Sequence, residues 1–395
     1  MGLTVRLPPP PRDTDFRSGL RGPAVAARVG TALSICFATA FLTGVWSHYA
    51  QTTPGWLTMP TRPVNFYRIT QGLHIIAGSA CVPLLLVKLW SVYPRLFQAV
   101  PTKPSREAVL HLLERLSVGV LVASVIFQLV TGLANSSQWY PWAFSFRSAH
   151  FAVAWVAIGA ILLHIAVKLP LIRQAWSEPV ETTALGEPTE AAAHRGPISR
   201  RTLLRSTWAA AGLAVLATAG ASVPWLRSVS FFAVRTGEGP QGVPINRTAA
   251  TAGVTTDMVG DGWRLELVRG DYAERLTLDD LRAMPQATRA LPIACVEGWS
   301  AGATWTGVRI RDLVRRAGGD PDDPGDIDVT SLQQRYSFGT STLQSNFAAD
   351  DKTLLALQLH GEDLVLDHGY PARLIAANRP GVLQTKWVTR MELPT

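Results

Sequence analysis

The chain has 395 residues, of which 47% are hydrophobic and only 17% are charged, whereas soluble domains carry about 25% charged residues. This deficit predicts that part of the chain lies in a membrane. The net charge of +8 comes from basic residues clustered at alternate ends of the apolar stretches, which is typical of membrane topology, and the absence of a basic patch interleaved with aromatic residues argues against nucleic-acid binding.

Five apolar segments reach the length of about 20 residues that a helix needs to cross a bilayer. They lie near residues 26–47, 70–93, 112–134, 148–170 and 207–226. Short loops join the first four, which predicts an antiparallel four-helix transmembrane bundle over 26–175, behind a cytoplasmic N-terminal tail at 1–25. The loops at 49–68 and 135–147 carry few charges and several aromatic residues, so we expect them at the outer face of the membrane.

Residues 176–206 are predicted to form a flexible cytoplasmic linker, because much of this segment is polar and rich in Glu, Ala and Pro. The linker ends in a segment that matches the twin-arginine export pattern, Ser199-Arg200-Arg201-Thr202-Leu203-Leu204-Arg205. Ordinary basic flanking of a membrane span is the alternative interpretation. The fifth helix follows as a membrane anchor over 207–227, although Ala219-Gly220-Ala221 also resembles a cleavage site.

Beyond residue 228 the sequence changes to Val/Ile/Leu alternation separated by Gly, Pro and Asp turns, which is typical of a soluble domain. Segments 263–268 and 326–330 favour strands, and segments 278–283 and 310–317 favour short helices. The predicted architecture is therefore multidomain. An all-α transmembrane four-helix bundle plus a fifth helix is followed by an α+β, mostly-strand domain over 228–395.

Several histidines occupy positions in the predicted bundle that suit haem iron. His150 and His164 are fourteen residues apart on the fourth helix, which places them on nearly the same face with about 21 Å of rise between them. His74 lies near the start of the second helix, and His74 and His150 are predicted to ligate one haem b. The alternative is a histidine that is hydrogen-bonded within the bundle. A second haem would need a partner for His164; the second helix offers Lys88 where a histidine is expected, which leaves His111.

The first half of the chain, over roughly residues 20–175, resembles the four-helix di-haem cytochrome b subunits of bacterial formate dehydrogenases and nickel hydrogenases. The resemblance rests on the topology, on the histidine pair of the fourth helix and on His74. It implies one haem b, or two, exchanging electrons with the quinone pool. The missing histidine for the inner haem is a departure from the pattern of that family.

Cys295 is the last cysteine of the chain and follows an apolar stretch, Leu291-Pro-Ile-Ala. A lone thiol there is a buried structural residue, a covalent nucleophile or a metal ligand. No His/Asn pair is recognisably placed to activate a nucleophile. A molybdenum centre takes one soft thiolate from the protein besides the two sulfurs of the pterin dithiolene. Such a centre needs a rigid wall, which Trp299 and Trp305 could supply.

Residues 240–395 resemble the molybdopterin-binding domain of the sulfite oxidase superfamily, and most of all the catalytic subunits of periplasmic methionine-sulfoxide reductases. The segments that carry the resemblance are Pro244-Ile-Asn-Arg-Thr, Cys295-Val-Glu-Gly-Trp-Ser, Trp305-Thr-Gly, Thr330-Ser-Leu, Asp367-His-Gly-Tyr-Pro-Ala-Arg-Leu and Gly381-Val-Leu-Gln-Thr-Lys-Trp. The resemblance implies that Cys295 is the catalytic molybdenum ligand, and that His368 and Arg373 contact the pterin.

The resemblance also assigns a loop over the pyranopterin and its phosphate to Gln384, Thr385 and Lys386. Ser331 takes the place of a hydroxyl residue of the family, and Asn246 takes that of an early asparagine. Each of these polar residues, taken singly, is also compatible with an ordinary surface or turn position.

One departure from sulfite oxidases bears on the substrate. Those enzymes follow the cysteine with an arginine-rich stretch that helps to bind an oxyanion, whereas Glu297 follows here. A neutral small-molecule or protein sulfoxide is therefore favoured as substrate. The whole predicts a multi-pass protein of the cytoplasmic membrane, in contact with lipid, whose outer domain performs two-electron oxygen-atom transfer. The alternatives are a sulfite-type dehydrogenase that reduces quinone and a non-enzymatic membrane electron carrier.

Overall fold

A computed structural model describes residues 12, 15–16, 18–97, 105–181, 198–233, 239–335 and 337–395. Much of the predicted N-terminal tail and the middle of the predicted linker lie outside these described residues. Five long helices are present, and all have the length and hydropathy of membrane spans. They are α1 (Pro23–Gln51), α2 (Phe66–Val92), α3 (Arg106–Ser136), α4 (Phe146–Ser177) and α5 (Arg200–Thr218).

The first four predicted apolar segments fall within α1 to α4, but the fifth helix begins earlier than its apolar run. α5 begins at Arg200 because the Ser199 hydroxyl accepts a hydrogen bond from the Thr202 N–H at 3.2 Å, which is the usual role of an N-cap serine. Arg200 itself is buried, and its Nε donates to the Gly19 carbonyl at 3.0 Å. One arginine of the twin-arginine pattern thus has a structural contact, while its export role stays a prediction.

The helical compact unit comprises the chain up to Phe41 together with Ile76–Asn135 and Trp139–Leu216. One side chain from each of α1 to α4 enters a shared apolar cluster: Phe37, Leu85, Val125 and Ala157. α5 packs against α1 and α2 through Leu204 and Ala211. The predicted bundle with an added fifth helix is confirmed.

The second compact unit comprises Leu42–Ile75, Ser136–Gln138 and Ala217–Thr395. Its short helices are α6 (Ala249–Ala252), α7 (Leu278–Ala283), α8 (Ile310–Arg316) and α9 (Ser345–Ala348). Its strands are β1 (Leu265–Arg269), β2 (Tyr272–Leu276), β3 (Gln286–Ala294), β4 (Ser300–Arg309), β5 (Ile327–Ser331), β6 (Thr340–Leu343), β7 (Leu354–Leu359), β8 (Glu362–Asp363), β9 (Arg373–Ile375) and β10 (Val388–Leu393). The predicted mostly-strand α+β fold is confirmed.

These strands form two sheets. One has the order β2-β1-β10-β5-β6, in which β1 and β10 are parallel and the other pairs antiparallel. The other has the order β3-β4-β7-β8, and β9 also pairs with β7. β7 is buried on both faces, because Leu355 and Leu357 enter one apolar cluster while Leu354, Ala356 and Leu359 enter another. A strand covered on both faces needs a nearly continuous apolar sequence, and β7 is apolar except at Gln358.

The loop between α1 and α2 packs against the strands of this second unit. Met59 and Tyr67 are part of its main apolar cluster. The Gln344 side chain accepts from the Met59 N–H at 3.0 Å, and it donates to the Leu57 carbonyl at 2.8 Å. The Asn378 side chain accepts from the Tyr67 N–H at 2.6 Å. The segment predicted as an outer-face loop is therefore held to the strand-rich domain by hydrogen bonds between its backbone and the side chains of Gln344 and Asn378.

Gly307 provides a test of the packing between β4 and β7. A β-carbon at Gly307 would collide with the Leu355 carbonyl oxygen and lie 2.6 Å from Ala356 Cα. We expect Gly307→Ala to lower the free energy of unfolding by about 1–3 kcal/mol, the usual cost of overpacking a core. Gly302→Ala on the same strand is the control, because no heavy atom lies within 4 Å of its built β-carbon. Denaturant unfolding of the detergent-solubilised chain measures both, and equal stabilities would contradict the prediction.

Candidate functional site

Cys295 lies in a tight turn between β3 and β4, called here the Cys295 loop (residues 295–299). The Cys295 N–H donates to the Trp299 carbonyl at 2.9 Å, and the Gly298 N–H donates to the Cys295 carbonyl at 3.1 Å. Gly298 has a φ of +90°, which glycine adopts without strain. The thiol is only 2% exposed, and Trp299 and Trp305 are buried in the same apolar cluster. The predicted position at the end of a strand beside two tryptophans is found.

A second loop, residues 379–387, crosses the base of the Cys295 loop. A β-carbon at Gly381 would lie 3.0 Å from the Ala294 carbonyl oxygen and 3.6 Å from Cys295 Cα. This close approach needs a residue without a side chain. It brings the segment that carries Gln384, Thr385 and Lys386 towards the thiol.

Arg373 is a buried cation and Lys386 is a half-buried one, and both interact electrostatically with Cys295. The Arg373 guanidinium is 4% exposed, lies 5.3 Å from the centre of the Trp305 ring and donates to the His368 carbonyl at 3.2 Å. Lys386 Nζ donates to the carbonyls of Arg247 at 2.6 Å and Asp367 at 2.9 Å. Burial lowers the pKa of Arg373 to about 9. Burial, with Arg373 nearby, holds the pKa of Lys386 well below its usual value.

Arg379 is a third cation of this region and is buried like Arg373; the sequence analysis missed it. It is 5% exposed, and burial lowers its pKa to about 9. Its Nη2 donates to the Thr342 carbonyl at 2.6 Å, while its Nη1 is buried without a hydrogen-bond partner in the described part of the chain. The signal that could have revealed it is an arginine two residues after the apolar stretch Leu374–Ala377 and directly before Pro380-Gly381.

None of the three cations forms an ion pair among the described residues, although the Asp367 carboxylate acts electrostatically on Lys386. A buried charge without a counter-charge costs several kcal/mol. Arg373 Nε and Gln384 Oε1 are also buried and without a partner in the same residues. These groups fit a phosphate-bearing pterin: the cations suit its phosphate, the amide oxygen suits a ring N–H, and Cys295 offers a soft thiolate to molybdenum.

The remaining predicted cofactor residues all form hydrogen bonds within the domain, and those of Ser331 and Thr385 hold the second loop. The Ser331 hydroxyl donates to the Lys386 carbonyl at 2.7 Å, and the Thr385 hydroxyl is 2.7 Å from that of Ser341. His368 Nε2 lies 2.7 Å from the Pro240 carbonyl, and burial lowers the pKa of His368 to about 4. The imidazole is therefore neutral, with Nε2–H as donor. Asn246 is half-buried, and its carbonyl accepts from Gln138 Nε2 at 3.3 Å.

Comparison with known families identifies both halves of the chain. Residues 252–395 match the family model of the oxidoreductase molybdopterin binding domain, and residues 31–169 match that of prokaryotic cytochrome b561. The chain joins a molybdopterin-binding oxidoreductase domain to a cytochrome b561 domain. The resemblances drawn from the sequence are confirmed. So is the enzyme class of a molybdopterin-dependent oxidoreductase, which sets aside the non-enzymatic electron carrier.

Three relatives illustrate these matches. Mitochondrial sulfite oxidase of Drosophila melanogaster is 30% identical over 158 residues, covering 33% of this chain and 27% of that protein. A protein of Azospira oryzae named as the protein-methionine-sulfoxide reductase subunit YedZ1 is 30% identical, covering 28% and 41%. The protein-methionine-sulfoxide reductase catalytic subunit MsrP of Gluconobacter oxydans is 31% identical, covering 33% and 46%. The chain thus spans less than half the length of each.

Within the cytochrome b561 domain, the surroundings of His150 suit an iron ligand. The Thr131 hydroxyl donates to the Phe127 carbonyl at 2.7 Å, and its oxygen lies 2.9 Å from His150 Nδ1. Because the single hydroxyl hydrogen is used by Phe127, Nδ1 is the donor to Thr131. This fixes the tautomer with the lone pair on Nε2, the atom that a metal would take. A β-carbon at Gly132 would lie 3.5 Å from His150 Cε1.

His74 has a local arrangement of the same kind. The Thr43 hydroxyl is 3.3 Å from His74 Nδ1, and a β-carbon at Gly44 would lie 3.1 Å from His74 Cε1. A threonine-glycine pair on a neighbouring helix therefore faces each of the two predicted ligands. This pairing was not predicted, but the repeated Thr-Gly in Leu42-Thr-Gly-Val and Val130-Thr-Gly-Leu is visible in the sequence.

The histidines predicted for an inner haem have less support. His111 Nδ1 is buried without a hydrogen-bond partner in the described segments, so it has an unused ligand atom. His164 lies one turn before Lys168, which forms an ion pair with Glu114. Lys88, at the position where a histidine was expected, donates to the Ala26 carbonyl at 2.9 Å. The number of haems therefore stays a prediction.

Replacing Arg373 separates cofactor binding from folding. We expect Arg373→Met to lower the molybdenum and pterin content per chain, while the cofactor-free variant melts at the same or a higher temperature, because a buried unpaired cation has been removed. Arg309→Met is the control. Arg309 pairs with the buried Asp312 at 2.7 Å, so this variant should lose stability but keep the cofactor. Metal analysis and thermal unfolding give the two readouts, and an Arg373 variant with full cofactor would contradict the prediction.

Removing the Thr131 hydroxyl tests its hydrogen bond with His150. We expect Thr131→Val to retain haem but to raise its midpoint potential, because a ligand that loses its Nδ1–H acceptor is a weaker base and stabilises ferric iron less. Thr207→Val is the control, since the Thr207 hydroxyl bonds to the Leu203 carbonyl at 2.8 Å. Redox titration of the haem α-band measures the shift. An unchanged potential in Thr131→Val would show that the bond does not tune the haem.

Proposed function

We propose that the chain is a membrane-bound molybdenum oxidoreductase that reduces a small-molecule or protein sulfoxide, using electrons from the quinone pool delivered through haem b. One observation carries the proposal. A buried thiol at the end of a strand interacts electrostatically with a buried guanidinium, Arg373, and with the half-buried Lys386, and neither cation forms an ion pair among the described residues. This combination supports an anionic cofactor bound together with a soft metal.

The residues have separable roles in this reaction. The Cys295 thiolate would hold molybdenum, and Arg373 and Lys386 would neutralise the pterin phosphate. When bound, the molybdenum-pterin group supplies two-electron oxygen-atom transfer. The sulfoxide takes up two electrons and two protons and leaves as a sulfide and water. The buried rings of Trp299 and Trp305 exclude water from the inner side of the thiol.

The surroundings of the thiol support a neutral substrate. Glu297 is two residues beyond Cys295, and its carboxylate accepts from Gln138 Nε2 at 2.7 Å and from Trp299 Nε1 at 3.1 Å. A negative charge at this place repels an oxyanion such as sulfite.

Arg379 favours a second candidate, a sulfite-type dehydrogenase that delivers electrons to quinone. Its buried Nη1 has no hydrogen-bond partner in the described residues, and a guanidinium N–H is a good donor to an oxyanion. Dye-linked assays distinguish the two functions. Methionine-sulfoxide reduction with reduced viologen supports the first, whereas sulfite oxidation with ferricyanide supports the second.

The membrane half is proposed to connect the site to quinone. The five apolar helices and the cytochrome b561 domain make the chain a membrane protein. We assign one haem b to His74 and His150, with His164 and His111 as the candidates for a second. The contacts of the 52–65 loop with the strand-rich domain support an outer, extracytoplasmic location for that domain, on the side where α1 ends.

Replacing the thiol tests the proposed function. We expect Cys295→Ser to lower molybdenum content and to reduce sulfoxide turnover to the background of the assay, because the serine hydroxyl is a hard, poorly ionised ligand. The haem content should not change. Cys36→Ser, in the apolar part of α1, is the matched control and should keep both the molybdenum content and the sulfoxide turnover. Retention of molybdenum and of full turnover in Cys295→Ser would refute the proposal.

A further inference from the structure

The Cys295 loop is in direct contact with helix α2 inside the second compact unit. A β-carbon at Gly298 would lie 2.6 Å from Ile75 Cδ1 and 3.1 Å from Ile75 Cγ1. It would also lie 3.5 Å from Ser136 Oγ. The backbone of Gly298 and the side chain of Ile75 therefore touch, with no room between them for a side chain or a water molecule.

Hydrogen bonds from three segments hold the Cys295 loop and Ser300, the first residue of β4, at this contact. From α2, Arg68 Nε donates to the Ser300 hydroxyl at 3.1 Å. From the end of α3, Gln138 donates to Glu297. Beyond α5, the Ser222 hydroxyl donates to the Gly298 carbonyl, and the Ser222 carbonyl accepts from the Ser300 hydroxyl at 2.9 Å. Because these bonds surround the contact, they hold Gly298 and Ile75 against each other.

The contact joins the neighbours of the two proposed metal ligands. Ile75 follows His74 directly, and the Gly298 N–H donates to the Cys295 carbonyl at 3.1 Å. The connection from His74 to Cys295 therefore has three links. The peptide bond joins His74 to Ile75, a van der Waals contact joins Ile75 to Gly298, and a hydrogen bond joins Gly298 to Cys295. We propose that electrons pass between haem and molybdenum along this connection, from His74 and Ile75 to Gly298 and Cys295. The inference rests on the proposed function, which makes His74 and Cys295 the metal ligands.

The proposal gives Gly298 and Ile75 distinct tasks. Gly298 supplies the φ of +90° that closes the turn, and it leaves its backbone open to contact. Ile75 fills the remaining gap with its terminal methyl group. Haem iron carries one electron at a time, so the two electrons that each sulfoxide consumes would cross the contact one after the other.

The test shortens the Ile75 side chain. Ile75→Val removes Cδ1, and Ile75→Ala also removes Cγ1; Ile76→Val and Ile76→Ala, one position further along α2, are the matched controls. The holoenzyme is reduced with a quinol and mixed with methionine sulfoxide, and the loss of the reduced haem α-band is followed. We expect the decay to be several-fold slower in Ile75→Ala and less so in Ile75→Val, with both Ile76 variants as fast as the original chain.

Three other measurements separate electron transfer from damage to the sites. Molybdenum content, haem midpoint potential and viologen-linked sulfoxide reduction, which bypasses the haem, should be unchanged in the Ile75 variants. Decay as fast as in the original chain, or a change in any of these three in Ile75→Val, would overturn the route but not the function. An original chain without molybdenum or haem would instead refute the proposed function. If sulfite is the substrate, the oxidised holoenzyme is mixed with sulfite instead, and the rate of electron transfer is measured as the appearance of the reduced haem α-band.

Discussion

Arg373 and Lys386 interact with the Cys295 thiol, Arg379 lies in the second loop, and all three cations donate hydrogen bonds to backbone carbonyls. Carbonyl dipoles compensate a buried charge only in part. The polypeptide therefore carries an electrostatic cost that an anionic cofactor would remove. The rest of the domain is consistent with maintaining this arrangement: a doubly buried strand, β7, anchors the sheet, and two glycine-dependent loops approach each other where the thiol lies.

The cysteine site is also tied to the ends of the long helices. The Cys295 loop bonds to Gln138 and Ser222, the adjoining Ser300 bonds to Arg68, and the 52–65 loop bonds to Gln344. These helix ends belong to the same compact unit as the strands. A fused chain thus holds the start of α2 and the Cys295 loop at fixed positions, which two diffusing proteins achieve only during an encounter.

The histidines show how far sequence reasoning reaches inside a bundle. Apolar length, the spacing of His150 and His164 and the position of His74 predicted a cytochrome b, which the family match confirms. The threonine that holds the Nδ1 of each proposed ligand was not predicted, because each threonine lies on another helix. The contact depends on helix rotation and distance, which the periodicity of a single helix does not specify.

The sequence by itself determined the membrane helices, the strand-rich domain, the lone cysteine and the loop motifs, because hydropathy, turn residues and local motifs are properties of short segments. It also identified Arg373 and Lys386, through their place in a motif. Only the tertiary structure decided that Arg379 is a buried cation with no ion pair among the described residues and that Ser331 and Thr385 bond within the protein. Only there does Gly298 meet Ile75. Burial and contact depend on which distant segments pack together, and no local pattern records that.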